Sequence, residues 1–292
     1  MDVVTVERLT KYYGRRLGVE DLNLQVSEGT MFGFLGPNGS GKTTTIRVLM
    51  GFLQANAGEA RVFGMDCRRN SPAIKAEVGY LPGDLRMPSW MTCREALQIF
   101  GRVRRRDLLV RGMELAQEFG LDRDTRVRVM SRGTRQKLGL VIAMAHAPRL
   151  LILDEPTASL DPLMQGKLYG RLREVVSAGG TVLLSSHTLS EVEDLCSRVA
   201  ILRNGRLVAH ETLDRLRSQA RRRVTIRWRS AEDATRGSPP DGVDWYERDA
   251  LQWRGIVRGP MTGLLRWAAE QPLDDFTLEP PDLAEIFRGF YV

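Results

Sequence analysis

Eight consecutive residues, Gly36-Pro37-Asn38-Gly39-Ser40-Gly41-Lys42-Thr43, fit the pattern G-x-x-x-x-G-K-[ST]. Glycines let the backbone wrap closely, so that successive N–H groups point at phosphate oxygens. The apolar run Met31-Phe32-Gly33-Phe34-Leu35 ahead of them reads as a buried strand. Thr44-Thr45-Ile46-Arg47-Val48-Leu49-Met50 behind them reads as a helix, so Thr44 sits in its first turn beside the loop. The positive end of that helix dipole adds to the attraction for anions. In this pattern Lys42 reaches the β- and γ-phosphates, and the Thr43 hydroxyl ligates Mg2+. The chemistry is that of a nucleoside triphosphate site.

A second group of residues completes such a site. Leu150-Leu151-Ile152-Leu153-Asp154-Glu155 is an apolar strand ending in two acids, and the carboxyl end of a strand in an open α/β sheet is where ligands bind. Asp154 is placed to hold Mg2+, and Glu155 to accept a proton from an attacking water. Thr181-Val182-Leu183-Leu184-Ser185 is another apolar strand, with His187 just beyond its end on the same side of the sheet. Two further segments bracket the acids: Ser131-Arg132-Gly133-Thr134-Arg135-Gln136-Lys137 precedes them, and Ser159-Leu160-Asp161 follows.

The elements that must position these groups read as strands over 3–9, 22–26, 31–35, 78–81, 150–153, 181–185, 199–202 and 206–209. Residues 91–147 read mainly as helices, with Leu138, Val141, Ile142 and Ala145 at helical spacing. Short continuous apolar runs suit parallel strands covered on both faces. The expectation is an α/β core over 1–218 with a helical subdomain at about 91–147, followed by a small α+β appendage over 219–292. Within that appendage 224–228, 251–257 and 276–278 read as strands, 260–271 and 282–290 as helices, and 230–242 as a polar loop.

The 292 residues carry a formal charge of +7, but only five of the 43 basic residues are lysine. An arginine excess of this kind reads as the composition of a GC-rich genome. The local runs Arg104-Arg105-Arg106 and Arg221-Arg222-Arg223 read as solvated faces, with contact to anionic lipid or a membrane-proximal partner as the alternative. Aromatic residues do not interleave with them, so no nucleic-acid partner is expected. Cys67, Cys93 and Cys196 are scattered and suggest neither disulfides nor a zinc site. No apolar run approaches the ~18–20 residues of a membrane span. The first residues lack the basic-then-apolar plan of a secretory signal, and a cytoplasmic location is expected.

The order of these motifs over residues 3–215 resembles the nucleotide-binding domain of ATP-binding cassette (ABC) proteins, P-loop NTPases with a helical subdomain. The segment 131–137 between the phosphate loop and the acids, with Asp161 and His187 following, carries most of that likeness. The resemblance implies that Tyr13 stacks on adenine, with Tyr12 as the alternative one residue away, and that His187 contacts the γ-phosphate and the attacking water. It also implies a head-to-tail homodimer, in which Ser131 and Gly133 cap the ATP held by the opposite phosphate loop and Asp161 lies across the interface.

Two departures from the family pattern stand out. Met130-Ser131-Arg132-Gly133-Thr134 replaces the common LSGGQ. In Gly79-Tyr80-Leu81-Pro82-Gly83-Asp84, Gly83 takes the place of a Gln or Glu that serves Mg2+ and the lytic water, and Asp84 is the nearest substitute. The segment 276–287 is similar to the ending of bacterial drug-, antibiotic- and lipid-exporter ATPases. The resemblance therefore implies an exporter ATPase on the cytoplasmic face of the membrane, working through a separate permease. The alternatives are an importer ATPase or a soluble ABC ATPase acting on nucleic acid or the ribosome. The 88-residue spacing from Thr43 to Ser131 leaves no room for the long heptad-patterned insertions of that last class.

Overall fold

The computed structural model of the chain describes residues 1–219 and 222–279. It begins with β1 (Asp2–Tyr13), β2 (Arg16–Ser27), β3 (Met31–Leu35), α1 (Lys42–Leu49), β4 (Ala57–Val62), β5 (Met65–Asp66), α2 (Ser71–Glu77) and β6 (Val78–Leu81). Three helices follow, α3 (Cys93–Arg104), α4 (Leu109–Glu118) and α5 (Arg132–Met144). Then come β7 (Leu150–Asp154), α6 (Pro162–Ser177), β8 (Thr181–Ser186), α7 (Leu189–Leu195), β9 (Arg198–Arg203), β10 (Arg206–Thr212) and α8 (Leu213–Gln219). The remainder is β11 (Arg222–Trp228), α9 (Ala231–Arg236), β12 (Val243–Arg248), β13 (Gln252–Val257), α10 (Met261–Ala269) and β14 (Leu273–Leu278). The chain divides into two units, Met1–Leu213 and Asp214–Val292.

The first unit is built on a six-stranded sheet in the order β10-β9-β3-β8-β7-β6. The strands from β9 to β6 are parallel, and β10 adds an antiparallel edge. β3 and β7 are buried along their whole length, as their unbroken apolar runs require in a sheet covered on both faces. A second, antiparallel sheet, β2-β1-β4-β5, was only half legible in the sequence. β1 and β2 extend well past 3–9 and 22–26, through bulges at the positive-φ residues Arg8 and Asp21. β4 escaped notice because only Ala60 and Val62 of its six residues are buried, which is the signature of a sheet with one wet face. Val19, Leu22 and Leu24 of β2 share a core with Phe32 and Phe34 of β3 and with Ile46 and Leu49 of α1. The phosphate loop is thereby seated on packed apolar side chains.

α3, α4 and α5 occupy the interval between β6 and β7. α3 opens with a capping box: Thr92 Oγ1 accepts from Glu95 N–H, and Glu95 Oε2 accepts from Thr92 N–H at 2.8 Å. The arginine run at its end is tied to the core. The Arg104 guanidinium donates to the carbonyls of Lys75, Ala76 and Val78, and Arg106 pairs with Glu77 at 2.7 Å. Arg104 thus satisfies carbonyls that the end of α2 leaves free, and this run is a structural clamp.

In the second unit an antiparallel sheet runs β12-β13-β11-β14. Val224, Ile226 and Trp228 alternate inward from β11. Four tryptophans interlock there: the Trp228 and Trp253 rings lie 5.0 Å apart at 66°, Trp245 and Trp253 5.6 Å apart at 71°, and Trp228 and Trp267 6.1 Å apart at 85°. These edge-to-face pairs match the preference of aromatic quadrupoles. The stretch 230–242 holds the short helix α9, which Ser230 caps by accepting from Asp233 N–H. β12 was missed because charged residues interrupt its alternation. The helix expected over 282–290 lies outside the described residues, as does most of the segment 276–287.

Candidate functional site

The loop from Gly36 to Thr43 joins the end of β3 to the start of α1. Gly41 has φ 111°, and a Cβ there would lie 2.5 Å from Val19 Cγ1 and 2.7 Å from the Gly18 carbonyl. A Cβ at Gly36 would lie 2.4 Å from the Leu202 carbonyl. Glycine is therefore required at both positions. Ser40 O accepts from Gly205 N–H at 3.0 Å, tying the loop to the β9–β10 turn. Lys42 Nζ donates to the carbonyls of Gly36 at 2.5 Å and Pro37 at 3.3 Å.

Around this loop the sheet gathers the acids. Asp154, 1% exposed at the end of β7, accepts from Thr43 Oγ1 at 2.8 Å and from Ser185 Oγ at 2.5 Å. Glu155 is left-handed, at φ 53°, a conformation that costs a non-glycine residue of order 1 kcal/mol and that clusters at functional sites. Its N–H donates to the Ser185 carbonyl at 3.1 Å, fixing the turn. Its Oε1 lies 3.3 Å from Lys42 Nζ, an ion pair without hydrogen-bond alignment, and its Oε2 lies 2.6 Å from His187 Nδ1. The His187 side chain is half exposed. The Thr43–Asp154 contact and the Lys42–Glu155–His187 chain are joined into one network through Ser185, whose Oγ donates to Asp154 and accepts from Glu155 N–H.

Two cavities adjoin this network and share Asn38, Thr43 and Glu155. One, of about 470 Å³, is lined by Tyr13 and by loop residues from Asn38 to Thr44. The other, of about 770 Å³, adds Arg47, Tyr80, Gly83, Arg132, Asp154 and His187. The Tyr13 hydroxyl lies 3.3 Å from Thr44 Oγ1, whereas the Tyr12 hydroxyl turns away to donate to Glu20 Oε1 at 3.2 Å. Burial, with the Asp154 carboxylate adding to it, pushes the Tyr80 phenol up to about 12.

Ser131, Gly133 and Asp161 line neither cavity. Ser131 caps α5 by accepting from Thr134 N–H at 3.1 Å, and Asp161 caps α6 by accepting from Met164 N–H at 2.9 Å. At Gly133 a Cβ would stand 2.5 Å from the Ser159 carbonyl, so the start of α5 abuts the turn that follows Glu155. Asp84, expected at the metal in place of the residue missing at Gly83, gives its carboxylate to Arg86 at 2.9 Å and is 70% exposed. An exposed carboxylate two residues from a guanidinium pairs locally, and Asp84 also lines the larger cavity beside Asp154 and His187.

Gly83 faces Asp154 directly, and a Cβ added there would sit 3.4 Å from Asp154 Oδ2, an ordinary contact. Gly83→Gln should therefore fit. It is expected to raise the turnover number severalfold with little change in KM for ATP, as steady-state phosphate release would measure. An unchanged turnover number would mean that the Gly83 loop acts through its backbone alone.

Some functional neighbours were missed in the sequence. Gln136 Nε2 donates to the carbonyls of Glu155 and Pro156 at 3.2 and 3.1 Å, linking α5 to the acid turn. The available signal was a polar residue three and four positions before the apolar-face residues Gly139 and Leu140 of α5. Ser185 and Glu191, both buried, gave no signal of their own.

The fold and motifs have counterparts. The ABC transporter family profile matches residues 19–158. A daunorubicin resistance ATP-binding protein of Streptomyces coeruleorubidus is 36% identical over 220 residues, covering 74% of this chain and 68% of that protein. The chain belongs to the ABC transporter family. A Nod factor export ATP-binding protein of Paraburkholderia xenovorans is 36% identical, covering 70% of this ABC chain and 69% of its own length. A bacitracin transport ATP-binding protein of Bacillus licheniformis is 34% identical, covering 75% and 73%. Among solved structures, the ATP-binding subunit of an ABC transporter superposes with a TM-score of 0.70 at 30% identity, over 74% of this chain and 92% of that one. The first unit is thus an ABC ATPase cassette.

Proposed function

We propose that this chain is the ATP-hydrolysing subunit of an exporter, that it works as a homodimer, and that it drives a separate permease from the cytoplasmic face of the membrane. The observation that carries the ATPase reading is the contact network itself, in which Lys42, Thr43, Asp154, Glu155 and His187 converge at the carboxyl ends of parallel strands. The exporter reading rests on the names of the relatives, which are drug-resistance, Nod factor export and bacitracin transport proteins. Among the described residues no helix is long and apolar enough to cross a membrane, and this reading assigns the route to the separate permease.

The residues divide the work. N–H groups of the loop and of the first turn of α1 donate to phosphate oxygens, and Lys42 exchanges its carbonyl partners for phosphate. Tyr13 covers the base from the edge of the loop cavity. Thr43 and Asp154 present two hard oxygen donors already in contact, a set that suits Mg2+, which takes its remaining ligands from phosphate and water. When bound, the ion neutralises charge on the β- and γ-phosphates. Glu155 accepts the proton of the attacking water. His187 orients it, its ring held beside the base by the 2.6 Å contact of Nδ1 with Glu155 Oε2. Ser131 and Gly133 line neither cavity of their own chain, which favours their service to a second copy.

The test is phosphate release by the purified chain with ATP, in Mg2+ and in EDTA. Turnover is expected only with Mg2+. Lys42→Ala is expected to weaken ATP binding roughly 10–100-fold, the weight of a charged hydrogen bond to phosphate. Absence of Mg2+-dependent hydrolysis by the wild type, alone and with its co-expressed permease, would overturn the reading.

A further inference from the structure

Glu191 is a buried acid for which the hydrolysis scheme above has no use. It lies in the first turn of α7, 4% exposed. Its Oε2 accepts from Ser186 Oγ at 2.5 Å. The same Ser186 oxygen accepts from Thr188 N–H at 2.9 Å. The hydroxyl proton goes to the carboxylate and a lone pair goes to the amide, so Ser186 is fixed on both sides of His187. The second carboxylate oxygen, Oε1, is buried and has no hydrogen-bond donor. Burial raises the carboxyl above its ordinary range, with the Glu155 charge contributing and with Ser186, Thr157 and His187 opposing.

A buried carboxyl with one oxygen unsatisfied costs stability, and its position explains why it is there. We propose that Glu191 is a positioning residue that braces the His187 turn through Ser186 and so holds the His187 ring against the Glu155 carboxylate. His187 is half exposed and its only fixed partner in the network is Glu155. Without an anchor behind its backbone, the ring would lose that 2.6 Å contact to solvent. This inference rests on the ATPase reading for its consequence, but not for its geometry.

The geometry supplies a readout free of activity. The chain has three histidines; His146 is buried and His210 half-buried, so their ring signals serve as internal references in nitrogen-detected NMR of the nucleotide-free protein. In Glu191→Ala the His187 ring signals should move while those of His146 and His210 stay. The turnover number should fall roughly 10–100-fold, the usual effect of removing an outer partner of a functional histidine, with KM for ATP nearly unchanged. Glu191→Gln keeps an acceptor for Ser186 and should restore both readouts to near wild type. Because Glu191 acts through His187, Glu191→Ala should add nothing to His187→Ala. Ser186→Ala, a small change, should shift the same His187 signals, and it decides the matter if Glu191→Ala does not fold. Unmoved His187 signals in both variants, or additive losses in the double variant, would overturn the proposal. If the wild type hydrolyses no ATP, the ATPase reading falls and the ring signals still decide this one.

Discussion

Glu155→Gln is expected to slow ATP turnover by roughly 10²–10⁴ while ATP binding persists, the usual contribution of a positioned general base. The amide keeps the shape of the side chain but has no basicity to offer the water. The structure adds a second consequence. Glu155 Oε1 lies 3.3 Å from Lys42 Nζ, so the carboxylate competes with phosphate for the lysine. Removing its charge should free Lys42 and tighten ATP binding. The variant should thus pair a lower turnover number with a lower dissociation constant, measured by single-turnover kinetics and by equilibrium titration of a fluorescent ATP analogue. Undiminished hydrolysis would take the base role away from Glu155.

Mixing a Lys42→Ala subunit with a Ser131→Ala subunit should restore activity that neither has alone. If each site takes its phosphate loop from one chain and its serine from the other, a mixed dimer holds one doubly damaged site and one intact site. Random exchange makes half of the dimers mixed, so about a quarter of wild-type turnover should return from a twofold pair. If both residues served the same chain's site, every site in the mixture would carry one lesion and nothing would be recovered. Labelled pull-down establishes that subunits exchange. Wild type mixed with the Lys42→Ala variant gives mixed dimers with one intact site, and shows whether a single intact site suffices. Demonstrated exchange with no recovery, while that control keeps more activity than its wild-type pairs alone supply, would count decisively against the shared site.

The parts of the site that were legible in the sequence are those set by local chain geometry. The loop 36–43 announces itself because a tight anion cradle needs glycines at fixed offsets, and the strands 31–35 and 78–81 coincide with β3 and β6 because buried parallel strands are unbroken apolar runs. What escaped depends on contacts between distant residues. Ser185 donates to Asp154 across 31 positions, and Gln136 reaches the carbonyls of Glu155 and Pro156. Single polar residues in apolar segments look alike until the fold shows which neighbour they meet. The choice between Tyr12 and Tyr13 was of the same kind. Adjacent strand residues point to opposite faces, and only the register of β1 tells which ring lines the loop cavity.

The interlocked indoles of the small unit also make it spectroscopically distinct. Of the five tryptophans, Trp228, Trp245, Trp253 and Trp267 belong to one aromatic cluster in the second unit, and Trp90, 54% exposed, stands alone in the first. Indole rings whose centroids lie 5.0 Å apart couple their transitions strongly, so this cluster is expected to give an exciton signature in circular dichroism that the cassette lacks. Intrinsic fluorescence consequently reads the appendage. Trp90→Phe makes that reading exclusive, giving the appendage its own optical channel during nucleotide turnover.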